Sequence, residues 1–242
     1  MKKIHFKVLK LNKVIVNAII LLIIGVVTVA SFLVDNTVNV SMPEGLYYKG
    51  DTASNHVSLM VNVYWGDEYI DDMLEIFDKE DIKTTFFIGG TWAVMNEDIL
   101  KKIHNRGHEI ANHGYNHKKH NKLTEKDNIK EIETTHRIVK ELLNIDMQLF
   151  APPSGAYNKK TVETANKIGY KTIMWTRDTI DWRDHNQKLI YERAVKNAHG
   201  GDLILMHPTK ETLEALPNII NYLKNNNFTL TNVSENIGFK AL

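Results

Sequence analysis

Short apolar runs alternate with stretches of helical spacing along most of the chain. The runs "VSLMVNV" (57–63), "TTFFIG" (84–89), "HEIANH" (108–113), "MQLFA" (147–151), "KTIMW" (171–175) and "DLILMH" (202–207) are bounded by polar or turn residues and read as buried strands. Between them, "EYIDDMLEIFDKED", "EDILKKIHNRG", "EKDNIKEIETTHRIVKELLN", "NKKTVETANKIG", "KLIYERAVKNAHG" and "ETLEALPNIINYLKNNN" carry apolar residues three and four apart, which predicts amphipathic helices. Strand–helix alternation of this kind predicts a parallel α/β architecture, either a barrel or a doubly wound sheet. There is no internal repeat and no low-complexity tract.

The N-terminus follows another pattern. Lys2, Lys3, Lys7, Lys10 and Lys13 precede an uncharged stretch from Val14 to Val34. That stretch is long enough to cross a bilayer, which takes about 20 residues. The lysines predict an N-in orientation with the remainder outside. The alternative is a signal peptide cleaved after "TVA", before Ser31. Both place the rest of the chain beyond the cytoplasmic membrane, the first as a single-pass membrane protein and the second as a secreted one. Residues 35–55, polar with Pro and Gly, read as a stalk. The expected organisation is therefore a basic tail and anchor (1–34), a stalk (35–55) and an α/β domain (56–242).

Composition narrows the chemistry. There is no cysteine, which excludes disulfides, thiolate metal sites and thiol nucleophiles. The net charge is +1, and taking away the five lysines leaves about −4, which gives no support to nucleic-acid binding. Among 11 histidines, His113 and His117 lie four apart in "ANHGYNH". One such pair is expected by chance about half the time. A second pair, His104 and His108, straddles Gly107 at a helix end, so its spacing does not place both rings on one face.

Position along the strands distinguishes the two pairs. Asn62 and Asp67 lie at or just past the end of the first strand. His113 and His117 follow the third strand, Pro152 and Pro153 the fourth, Asp178 and Asp181 the fifth, and His207 closes the sixth. Loops after the C-termini of parallel strands gather on one face, where active sites are built. Two imidazoles and one carboxylate, with a position left for water, form a catalytic zinc-type ligand set. His113 and His117 would supply the nitrogens and Asp67 the carboxylate. Alternatively, the histidines cap backbone carbonyls in a solvated turn. His207 is either a satisfied residue ending a core strand or a general acid facing the same cavity. Trp182 is either a packing residue or a wall of a substrate groove.

The set "KTTFFIGG", "GHEIANHGYNH", "LFAPPSGAYN", "TIDW" and "LILMHP", in this order, resembles the polysaccharide deacetylase family, also called the NodB-homology domain or carbohydrate esterase family four. It is most similar to the membrane-anchored sporulation-type branch, over about residues 46–240. The resemblance implies a distorted (β/α) barrel and removal of N-acetyl groups from a peptidoglycan-like or chitin-like cell-wall polysaccharide. It also implies a divalent metal, zinc before cobalt, manganese or nickel, in a chain acting as a monomer. By position His113 and His117 match the metal-binding histidines and His207 the catalytic acid. Leu205 matches the acetyl pocket, Asp178 and Asp181 the motif that tunes the acid, and Trp182 the groove wall; Pro152 and Pro153 fall in the third motif and are expected at the substrate.

Two positions depart from the family. Its first motif reads Thr-Phe-Asp-Asp, base then metal ligand, whereas "MVNVYWGD" has Asn62 and Val63 there. An amide takes no proton at neutral pH. Its third motif begins with an Arg that pairs with the base, and Ala151 stands there. The losses are coherent, because a buried Arg without its carboxylate would be costly. Two functional expectations follow. In the first, a hydrolase is rebuilt around Asp67 as ligand or base, with Glu68 a poorer substitute. In the second, an impaired homologue binds glycan through the remaining groups, Asn62 included, at the membrane surface without turnover.

Overall fold

The computed structural model of the 242-residue chain describes residues 12–33, with side chains to Thr28, and residues 43–239. Lys2, Lys3, Lys7 and Lys10, Val34 at the end of the expected anchor, and residues 35–42 of the expected stalk lie outside the described residues. The chain divides into two units, Met1–Ser41 and Met42–Leu242.

In the first unit, helix α1 runs Lys13–Leu33. Asn12 starts it, its side chain accepting the Val14 N–H at 3.1 Å. Apolar side chains from Val14 to Val27 are exposed, Leu21 and Leu22 each at 69%. Among the described residues no helix is long and apolar enough to cross a membrane, and the fully described part of α1 ends at Thr28. The helix forms where expected, but the fold does not establish it as a membrane span.

The second unit alternates strands and helices: β1 (Leu46–Tyr47), β2 (His56–Val63), α2 (Ile70–Lys79), β3 (Thr85–Ile88), α3 (Gly90–Met95), α4 (Glu97–Asn105), β4 (Glu109–Asn112), α5 (Glu125–Leu143), β5 (Leu149–Phe150), α6 (Lys159–Lys167), β6 (Lys171–Ile173), β7 (Arg177–Asp178), α7 (Asp181–Asp184), α8 (Gln187–Val195), β8 (Leu203–Met206), α9 (Lys210–Asn225), β9 (Thr229–Leu230) and α10 (Val233–Asn236). The sheet order is β1-β6-β5-β4-β3-β2-β8-β7, with β9 pairing the start of β2. Every pairing is parallel. The path does not close on itself among the described residues, so the sheet is a curled, open barrel.

Alternation along β2 decides between a barrel and a doubly wound sheet. Val57, Leu59, Val61 and Val63 join the large core against α2 (Met73, Leu74, Phe77) and α9 (Leu216, Ile219, Ile220, Leu223). Met60 faces the other way, into a small cluster with Phe87, Ala111, Leu149, Ala151, Ile173, Leu203 and Val233. Each of the strands that contribute to this cluster sends one face to the helices and the other into the barrel. Side-chain caps set several helix starts: Thr124 accepts the Asp127 N–H ahead of α5, and Asn158 and Thr161 form a capping box at α6.

The 35–55 stalk needs correction. Leu46 and Tyr47 pair with β6, and the N–H groups of Gly50 and Asp51 donate to Gly201 and Asn236 at 2.8 and 3.0 Å. Residues from Leu46 onward are part of the sheet domain.

His108 sits at the start of β4, at the opposite strand end from His113. It is buried between Phe77 and Phe86, with ring centroids 5.4 and 5.3 Å away. Its Nδ1 accepts the Thr84 N–H at 3.2 Å and its Nε2 has no partner. Burial, reinforced by the Lys83 charge, pushes its pKa down to about 4. The folded chain therefore keeps this ring neutral, while the unfolded chain protonates it below about 6.5. Stability from this site is full above that value and is lost as pH falls toward 4. The denaturant midpoint is expected to drop over that interval. His108→Gln, which keeps an acceptor for Thr84, should remove part of the slope, on the order of 3 kcal/mol at most. An unchanged slope in the variant would contradict this.

Candidate functional site

Alternation within the curled sheet assembles the site. Beyond the small inner cluster, the inward positions continue from Met60 to Asn62, from Ala111 to His113, from Ile173 to Trp175, and from Leu203 to Leu205 and His207. These side chains line one cavity of about 420 Å³ at the C-terminal ends of the strands, together with Tyr64, Trp65, His117, Lys119, Ser154, Asp178 and Trp182.

Each imidazole is held from behind. His113 is buried, and its Nδ1–H donates to the Ala151 carbonyl at 2.8 Å, which leaves Nε2 with the free lone pair. Burial, and next the proximity of His117, hold its pKa well below the ordinary value. Burial also lowers that of His117, with His207 adding to the effect. Both rings are thus neutral near pH 7, their centroids 5.1 Å apart. The turn between them passes through Gly114 at φ 74° and ends with His117 itself at φ 52°. The buried Glu131 fixes that turn, accepting the N–H groups of Tyr115 and Asn116 at 3.0 and 2.7 Å and pairing with Lys118 at 3.0 Å. Nothing in the spacing of "ANHGYNH" pointed to this residue, which lies on α5.

His207 is held by the fully buried Asp181. The carboxylate accepts the ring Nδ1–H at 2.8 Å, the His207 backbone N–H at 2.6 Å, the Thr212 hydroxyl at 2.6 Å and the Trp182 N–H at 2.9 Å. Burial alone would raise its pKa, but the bonds from His207 and Thr212 outweigh that and bring it below the ordinary value. The arrangement fixes the tautomer and leaves Nε2 of His207 for the cavity. Asp178, the other acid of that segment, forms no hydrogen bond with His207, whose ring is taken by Asp181. Its Oδ1 accepts the Ile180 N–H at 2.8 Å, where Ile180 adopts φ 54°, a left-handed conformation costly for a β-branched residue.

Several expected residues fall elsewhere. Asp67 is exposed and does not line the cavity. Gly66 (φ 76°), whose Cβ position lies 3.1 Å from the Pro208 carbonyl oxygen, turns the chain just before Asp67. Pro152 and Pro153 are buried, and Ser154 after them lines the cavity in their place. Two rings that sequence reasoning missed are prominent. Tyr64 stacks on His117 at 4.5 Å and 20°, and Trp65 on His207 at 5.9 Å and 9°.

Comparison with known proteins agrees with this geometry. Residues 49–173 match the sequence profile of the family described as polysaccharide deacetylase. The chain belongs to the polysaccharide deacetylase family. It is 38% identical to the Bacillus subtilis protein YlxY over 80% of this chain, though it spans only 60% of that protein's length. It is 31% identical to a peptidoglycan-N-acetylglucosamine deacetylase of Bacillus cereus, over 71% of this chain and 83% of that one. Its fold matches that of a CE4 family pseudoenzyme from Bacillus anthracis with a TM-score of 0.77 and 35% identity, covering 79% of this chain and 68% of that one. A mutant of that pseudoenzyme with restored enzymatic activity matches with the same TM-score at 34% identity, covering 79% and 71%.

Polysaccharide deacetylases are generally metal-dependent, and the donor set here does not fit a catalytic metal. Two imidazoles are present, but among the described residues no three His, Cys, Asp or Glu side chains are grouped to hold an ion. Val63 is buried in the helix-facing core, Asn62 offers an amide, and Asp67 is outside the cavity. The expected triad of Asp67, His113 and His117 is corrected accordingly. Asn62→Asp would place a carboxylate on the cavity wall that also carries both rings. Isothermal titration with zinc should then show affinity at least tenfold above that of the native chain. Equal affinities would mean that another carboxylate already reaches the imidazoles.

Proposed function

We propose that the domain holds N-acetylated cell-wall glycan in this cleft without turning it over. The observation that carries the proposal is that, among the described residues, no carboxylate is grouped with the paired imidazoles to hold a metal ion, with an amide at position 62 where the family has its base. Losing a positioned base alone costs about 10²–10⁴ in rate, and here the third metal ligand is missing as well. What remains suits binding. Trp65 and Trp182 line the cavity while 44% and 52% exposed, as rings available to stack on sugar faces. The likeness to a solved pseudoenzyme supports the same reading.

A second reading, slow hydrolysis of the acetamide C–N bond, is favoured by one feature. His207 retains its Asp181 partner in the geometry that would let Nε2 protonate a leaving amine. The domain would act outside the cytoplasmic membrane in either case. Support for an anchor comes from the exposed apolar surface of α1 and the lysines before it.

Co-sedimentation with purified peptidoglycan, with and without a metal chelator, tests the binding reading. Retention should be indifferent to the chelator and should fall at least tenfold in Trp65→Ala. Retention abolished by the chelator, or free-amine sugars found in the treated glycan by mass spectrometry, would favour the hydrolase.

A further inference from the structure

Ion pairs one helical turn apart lace the exposed faces of α4, α6, α8 and the start of α9: Lys101–Glu97, Lys159–Glu163, Lys188–Glu192 and Lys210–Glu214. Further along α9 one face is without charge. Asn218, Asn221, Tyr222 and Asn225 follow at helical spacing on its solvent side. The opposite face, Leu216, Ile219, Ile220 and Leu223, packs into the large core. With Asn226 and with Tyr191 of α8, those four residues line a groove of about 370 Å³. The two tyrosine rings stand edge to face, their centroids 6.3 Å apart. The groove lies in the outer helical layer, so the sheet separates it from the cleft.

Helix formation does not account for these residues, because Asn forms helix less readily than Lys, Glu or Ala. Their hydrogen-bonding capacity is also largely unspent. Asn225 donates to the Asn221 side-chain oxygen at 3.0 Å, and Asn226 to the Tyr222 carbonyl at 2.8 Å. The Asn218 amide, the Asn221 N–H groups, the Asn225 oxygen and both phenol hydroxyls have no partner among the described residues. An amide offers a donor and an acceptor side by side, which suits the neighbouring hydroxyls of a sugar ring. The tyrosine rings add apolar surface for its C–H face. A charged ligand finds no counter-ion, since no lining residue is charged. We propose that this groove is a second glycan site, which takes uncharged sugar rings by their hydroxyls. The inference rests on the glycan-holding function proposed above and extends it to the outer wall of the barrel. A domain that holds a polymer without cutting it benefits from two sites, because the second engagement is then intramolecular.

The test combines Asn218→Ala, Asn221→Ala and Asn225→Ala in the full chain. All three positions are exposed and Ala is the better helix former, so the melting temperature should hold or rise. Retention on purified peptidoglycan should nevertheless fall at least tenfold. Trp65→Ala alone should leave a residual retention, which adding the triple substitution removes. In the native chain, the side-chain amide NMR signals of Asn218 and Asn221 should shift on addition of cellotetraose, an uncharged hydroxylated probe. A triple variant retained like the native chain, or amide signals indifferent to cellotetraose, would overturn the second site. The loss in Trp65→Ala would then still stand for the cleft. Loss in the triple variant with none in Trp65→Ala would instead support the groove and overturn the cleft. A native dimer that the triple substitution dissociates, with retention unchanged, would make the face a contact between copies and overturn the proposal.

Discussion

The constraint on which this structure depends is the two-residue period of its strands under curvature. Because the sheet curls, the inward faces of β2, β4, β6 and β8 converge, and a small apolar cluster around Met60, Phe87 and Ile173 fills the space they enclose. Positions one period further along are carried to the mouth of the barrel with nowhere else to point. Asn62, His113, Trp175, Leu205 and His207 meet there for that reason. A one-residue slip of any strand would send its site residue into the helical layer.

The histidines at this mouth are held in place by other groups from behind. The Ala151 carbonyl holds His113, Asp181 holds His207, and Glu131 ties the turn that carries His117. The charges that the family adds to this frame are missing together. Ala151 is fully buried, so an arginine there without a carboxylate at 62 would be an unpaired charge costing several kcal/mol. Once one partner was gone, the other became a liability. The groups that remain can orient a sugar, stack on it and hydrogen-bond it, which is the chemistry of binding.

Much of this was legible in the residues. Six runs of alternating or continuous apolar character became β2, β3, β4, β5, β6 and β8, and their strand-end positions set the His113–His117 pair apart from His104–His108. The two-residue strands β1, β7 and β9 escaped because, unlike the equally short β5 within "MQLFA", they were not read as part of an apolar run. Whether the sheet was a barrel or doubly wound stayed open in the pattern, since burial on both strand faces looks alike from sequence. Asp67 was misplaced because adjacency along a loop says little about reach. The left-handed turn at Gly66 leaves that carboxylate outside the cavity. Tyr64 and Trp65 were missed because their stacking on His117 and His207 depends on contacts between strands far apart in sequence.

The central claim is that the cleft engages the acetamido group without cleaving its C–N bond. Proton NMR of the N-acetylglucosamine tetramer mixed with stoichiometric zinc-supplemented protein tests both halves at once. The account predicts saturation transfer from protein to the acetyl methyl resonance, with no free-acetate signal after prolonged incubation. Steady growth of the acetate signal, abolished by His207→Ala, would contradict it.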